Sequence, residues 1–132
     1  MITFKPKQVT KKLLSALPPR ARDVLEKRYG LGQNGETFTL ESIGQSYGIT
    51  RERVRQIENY GIQAIQKSDT YKEFETEFQE LYTAVLSLGG VVSEDDLLAE
   101  LAKDTALRIH IYFLLVIGDP FHRIKGDSAF GI

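Results

Sequence analysis

A chain of 132 residues, 42% hydrophobic and 27% charged, can bury a core and is neither disordered nor collagen-like. It has no cysteine, which excludes disulfides, thiolate nucleophiles and cysteine-ligated zinc or iron–sulfur centres and fits a reducing compartment. The net charge of −1 hides an asymmetry: residues 1–68 carry twelve Lys and Arg against six Asp and Glu (+6), and residues 69–132 carry five against twelve (−7).

A front half that attracts phosphate and a back half that repels it predict two modules with different partners, residues 1–68 and 69–132, the break falling near "QKSDTYKE". The longest apolar run, 111–117, is too short to span a bilayer, and the lysine-rich start lacks the apolar stretch of a signal peptide. The expectation is a cytoplasmic protein with no membrane partner.

From Val9, the residues Leu13, Leu14 and Leu17 recur at helical spacing; Pro18 ends that helix and Pro19 opens a second, through Val24 and Leu25 to Tyr29. The glycines of "GLGQNGE" break it. Thr39 is an N-cap for a short helix with Leu40, Ile43 and Tyr47 on one face. After Gly48 and Ile49, Thr50 caps a longer helix that turns Val54, Ile57, Gly61, Ala64 and Ile65 inward. Two helices joined by a three-residue glycine turn are a helix-turn-helix signature.

With that stripe inward, Arg51, Glu52, Arg55, Gln56 and Asn59 face outward from the first turns of the second helix, and Arg53 joins them as a candidate contact. Recognition helices present such residues to base edges in the major groove: arginine pairs with guanine, glutamine with adenine, and a carboxylate accepts from cytosine. The competing reading is a solvated charged face on which Glu52 pairs with a neighbouring arginine.

The pieces "LPPRARDVLEKRYGL", "TLESIG" and "ITRERVRQIE", in this order, resemble region 4 of primary-type sigma factors of bacterial RNA polymerase. The resemblance implies double-stranded promoter DNA as a partner, read at a −35-type element through the major groove, with the beta-subunit flap of the RNA polymerase core as a second partner. It implies groove reading by Arg51, Glu52, Arg55 and Gln56, a DNA contact from Arg20, and backbone contacts at Thr39 and Leu40. For those last three, a surface arginine, an N-cap and a core leucine are the alternative readings. After "RQIE" the family continues alanine-rich and basic, whereas this chain has "NYGIQAIQK", with Gly61 inside the helix at a cost of ~1 kcal/mol relative to alanine. Too few residues precede Leu17 for the regions that grip the polymerase clamp. The chain is expected not to initiate transcription alone, as a piece of a longer factor or as a free-standing regulator.

In the second half Phe74, Phe78, Leu81, Tyr82, Val85 and Leu86 share a helical stripe ended by Gly89 and Gly90, and Ser93 with Asp96 forms a capping pair for the next helix. Residues 106–117 are apolar nearly all round, a buried helix or a strand, and "FHRIKGDSAFGI" alternates about a Gly126-Asp127 turn as a hairpin does. Three helices and a C-terminal hairpin resemble the HARE-HTH winged helices, which include the folded domain of the polymerase delta subunit. The fold class is therefore mainly α: a helix-turn-helix bundle plus a small winged-helix domain with a C-terminal β-hairpin. Only Arg108, His110, Arg123 and Lys125 could donate to phosphate there, so the electrostatics favour a protein partner for the acidic module over DNA.

Catalytic chemistry has no foothold. His110 and His122 lack companions at metal-ligand spacing, "GLGQNG" trails a helix rather than a strand, and "SEDD" is explained by capping. No catalytic residue, metal site or cofactor is expected. The rival to DNA reading is a protein-interaction adaptor that docks on the polymerase or another regulator.

Overall fold

The computed structural model describes residues 2–32, 35–124 and 129–132, which form eight helices and three short strands. Helix α1 spans Pro6–Leu14 and α2 Pro19–Tyr29. The first helix closes at Leu14, earlier than the Leu-rich spacing predicts: Ser15 Oγ donates to Lys12 O at 2.6 Å, and Pro18 disfavours helical geometry just before it. Leu17 still reaches the core, 3% exposed.

Helices α3, Leu40–Tyr47, and α4, Arg51–Lys67, are the expected helix-turn-helix. Each begins where a threonine takes up a free first-turn amide. Thr39 Oγ1 accepts from Ser42 N at 3.0 Å, and Thr50 Oγ1 accepts from Arg53 N at 3.1 Å. Gly48 closes α3 in the left-handed region at φ +69°, which an L side chain adopts only with strain, so the turn falls here. On α4 the inward stripe comprises Val54, Ile57, Glu58, Gly61 and Ile65. A Cβ on Gly61 would lie 3.0 Å from Leu25 Cδ1 and 3.6 Å from Leu17 Cδ1. The glycine that departs from the family's alanine-rich pattern lets α4 approach α2.

The second half runs α5 Asp69–Glu73, α6 Glu75–Ser87, β1 Val91–Ser93, α7 Glu94–Leu101, α8 Thr105–Ile117, β2 His122–Ile124 and β3 Ala129–Gly131. The strands form an antiparallel sheet in the order β1-β3-β2, with Val91 opposite Gly131 and His122 opposite the same residue on the other side. In this order α8 is the helix that precedes the antiparallel β2–β3 ribbon, and β1 adds to its other edge through β3. Residues 105–117 are helix, not strand, and bury His110, Ile111, Phe113, Leu114, Leu115 and Ile117. The predicted Gly126-Asp127 turn lies outside the described residues. Two expectations need correction. The chain kinks at Phe74 (φ −100°, ψ 21°), so α5 and α6 are separate helices, and Leu86, placed on the inward stripe, is 55% exposed. Strand β1 was missed: three residues beside a cap carry no alternation to read.

The two halves share one hydrophobic cluster, from Val9 and Leu25 through Ile65 to Leu97, Phe113 and Phe130. Helix α1 packs against α8. Ile2 N donates to Leu101 O, Thr3 donates to the Glu80 carboxylate, and Gln66 Nε2 donates to Ile117 O at 2.8 Å.

Candidate nucleic-acid interface

The N-terminal half of α4 turns six polar side chains to solvent. Arg51, Glu52, Arg53, Arg55, Gln56 and Asn59 are all exposed, while Val54 is fully buried and Ile57 nearly so. The step from inward to outward follows the 3.6-residue period, which is why the sequence could place these side chains.

Their contacts with one another are specific. Arg55 Nε donates to Glu52 Oε2 at 3.0 Å and Arg55 Nη2 to Glu52 Oε1 at 2.6 Å, a two-pronged pair one helical turn apart. Its hydrogen bond holds the Glu52 carboxyl below the usual carboxylate range and raises the Arg55 guanidinium. Arg53 Nη1 donates to Gln56 Oε1 at 3.1 Å, and Arg51 lies 3.9 Å from Glu41 of α3. So the outward orientation and the carboxylate–arginine pairing, set against each other as alternatives in the sequence, are both present. Exposed pairs of this kind are worth little against solvent and open readily for a competing acceptor.

Arg20, at the start of α2, is exposed and its guanidinium carbon sits 4.7 Å from the centroid of the Tyr47 ring, which fixes it beside the helix-turn-helix. The Tyr47 hydroxyl donates in turn to Asp23 Oδ2. Thr39 is exposed and its hydroxyl is committed to capping. The Leu40 side chain, 9% exposed, is part of the core, so what Leu40 can offer a phosphate is its backbone N–H at the first helical position.

One buried charged group escaped the sequence reading. Glu58 is 9% exposed, accepts from the Tyr29 hydroxyl at 3.2 Å and lies 3.6 Å from Arg28 Nε. Burial and Glu58 push the Tyr29 phenol up. The signal was available: position 58 falls on the stripe 54, 57, 58, 61, 65, where an acidic residue needs a buried partner.

Of the donors the sequence suggested in the second half, Arg123 is exposed, Arg108 half-buried and His110 buried. Arg108 Nε donates to Ala102 O at 2.8 Å, Arg123 Nε lies 3.0 Å from Glu94 Oε1, and His110 is 9% exposed. Burial, with Lys7 nearby, lowers the His110 pKa. Lys125 lies outside the described residues. Among the described residues no His, Asp and Glu side chains gather into a group that could hold a metal ion, and no helix is long and apolar enough to cross a membrane.

A basic recognition-type helix, capped by Thr50 and preceded by a short capped helix, lies in the segment that is similar to known proteins. Residues 13–67 match the family Sigma-70, region 4. Over 47 residues the segment is 60% identical to the RNA polymerase sigma factor SigA of Nostoc sp., covering 36% of this chain and 12% of that one. It is 61% identical over 46 residues to the sigma factor SigA1 of Synechococcus elongatus, covering 35% of this chain and 11% of the relative. Against RpoD of Neisseria gonorrhoeae the match reaches 70 residues at 39% identity, 51% of this chain and 11% of that factor. The chain thus spans about a tenth of the length of these curated relatives. No solved structure matches it. The matched segment contains the helix-turn-helix, the Tyr29–Glu58 pair and every predicted DNA-contacting residue, and it ends at the last residue of α4.

Proposed function

We propose that this protein is a non-enzymatic, sigma-factor-like transcription protein whose region 4 segment reads a −35-type promoter element in the major groove while docked on the RNA polymerase core. The observation that carries this reading is the outward set Arg51, Glu52, Arg55 and Gln56 in the first two turns of α4, within a segment that matches Sigma-70, region 4. Arg53 and Asn59 extend the contact, Arg20 and the α3 start at Thr39 and Leu40 hold the phosphate backbone, and the beta-subunit flap takes the opposite side. Such work belongs in the bacterial cytoplasm, at the nucleoid. The acidic second half, whose sequence pattern resembles HARE-HTH winged helices, meets a protein, because its balance of −7 repels the DNA backbone.

The adaptor reading has its own support in the Glu52–Arg55 pair, which occupies two of the four base-reading side chains. Titrating the chain into a labelled duplex carrying a TTGACA-like element and into a scrambled duplex, at several salt concentrations, decides between them. Preference for the element that Arg55→Ala abolishes supports base reading. Equal affinity for both duplexes, with binding to the flap intact, establishes the adaptor.

A further inference from the structure

Between the C-terminal turn of α2, helices α7 and α8 and the β2–β3 ribbon lies a cleft of about 680 Å3 whose lining includes Arg28, Arg108 and Arg123. Its size falls within the roughly 300–1,000 Å3 of small-molecule sites. Tyr29 and Tyr112 stand in its wall with ring centroids 6.3 Å apart and planes tilted by 45°. Side chains of Leu98, Leu115 and Phe121 supply apolar surface beside them.

The lining is cationic although most of it comes from the acidic half. Three arginines against Glu94 leave +2, and Glu58, behind Arg28, lowers this to +1. Each cation is held in place: Arg108 through Nε to Ala102 O, Arg123 by Glu94 with its guanidinium carbon 5.7 Å from the Tyr112 centroid, and Arg28 beside Glu58. Arg28 Nε is shielded from solvent and makes no hydrogen bond among the described residues, since 3.6 Å to Glu58 exceeds hydrogen-bond length. Guanidinium forks match phosphate oxygens, and tyrosine faces match a flat ring.

We propose that this cleft is a binding site for a nucleoside phosphate, the base lying against Tyr29 and Tyr112 and the phosphate among the three arginines. The proposal is independent of DNA reading, because none of these groups belongs to the outward face of α4.

Calorimetric titration of the full chain with AMP, and separately with adenosine and with inorganic phosphate, tests it. AMP saturates at or below about 1 mM, and adenosine and phosphate each bind at least about tenfold more weakly. Arg108→Gln and Arg123→Gln each weaken AMP binding by about tenfold, and Arg55→Ala leaves it unchanged. Arg123 is on the exposed ribbon, so its variant is expected to keep the wild-type far-ultraviolet circular dichroism and remains informative if Arg108→Gln unfolds. Failure of AMP to saturate, phosphate binding as tight as AMP, or an equal loss in Arg55→Ala would each overturn the proposal.

Discussion

Arg55 and Glu52 grip each other through two hydrogen bonds, 3.0 and 2.6 Å long, on the solvent face of the recognition helix. The pair holds in reserve an arginine that a base edge must win away, and it sets a carboxylate where phosphate would otherwise be attracted. Glu52→Gln is therefore expected to raise affinity for a scrambled duplex about threefold or more, and to narrow the preference for the promoter element. Titrations of both duplexes at two salt concentrations check this; weaker binding to the scrambled duplex would contradict it.

Gly61 separates two effects that sequence alone adds together. In an open helix interior, glycine to alanine gains about 1 kcal/mol. Here the new methyl would sit 3.0 Å from Leu25 Cδ1, a side chain that is itself fully buried, and overpacking costs about 1–3 kcal/mol. Gly61→Ala is expected to lower stability in urea unfolding. A gain near the full propensity value would show that α2 and α4 do not meet as described.

The Tyr47 phenol is pushed up from 10.0 to about 12, first by burial and then by the Asp23 carboxylate that accepts its hydrogen, with Arg20 opposing. The neutral phenol is favoured in the folded state, so this contribution to stability is fully present below pH 10 and is lost as pH rises through about 12. Denaturant unfolding at a series of alkaline pH values should show Tyr47→Phe losing less stability over this window than the wild type. Parallel losses would mean that Tyr47 and Asp23 are not coupled.

The shared core makes a further expectation unlike that of two charge-defined modules. With α1 packed on α8 and a single cluster running from Val9 to Phe130, the chain should unfold in one transition, with tyrosine fluorescence and far-ultraviolet circular dichroism coincident. Two separated transitions would instead support independent modules that meet near residue 68.

What the sequence disclosed and what it hid follow from the range of the forces involved. Thr39, Gly48 and Thr50 act on amides within four residues of themselves, so the helix-turn-helix and its outward face could be located before any coordinates. Glu58 was passed over because its partner Tyr29 is 29 residues away and only packing brings them together. The contacts of Arg108 Nε with Ala102 O and of Arg123 Nε with Glu94 were equally hidden, because the docking of α7 against α8 and the ribbon sets them. Leu86 obeyed the helical period and still faces solvent, since nothing covers that end of the stripe among the described residues. Charge balance divided the chain at residue 68, but apolar contact does not respect the division.

The central claim is that α4 reads bases rather than phosphates, and Gln56 tests it most directly. Affinities of the wild type and Gln56→Ala should be measured for a set of duplexes, each with one base pair of the element replaced. Base reading predicts that Gln56→Ala loses discrimination at one position, where replacement costs the wild type roughly five- to hundredfold, and keeps it elsewhere. A uniform loss of affinity across every duplex, with the wild-type pattern of preference unchanged, would contradict it.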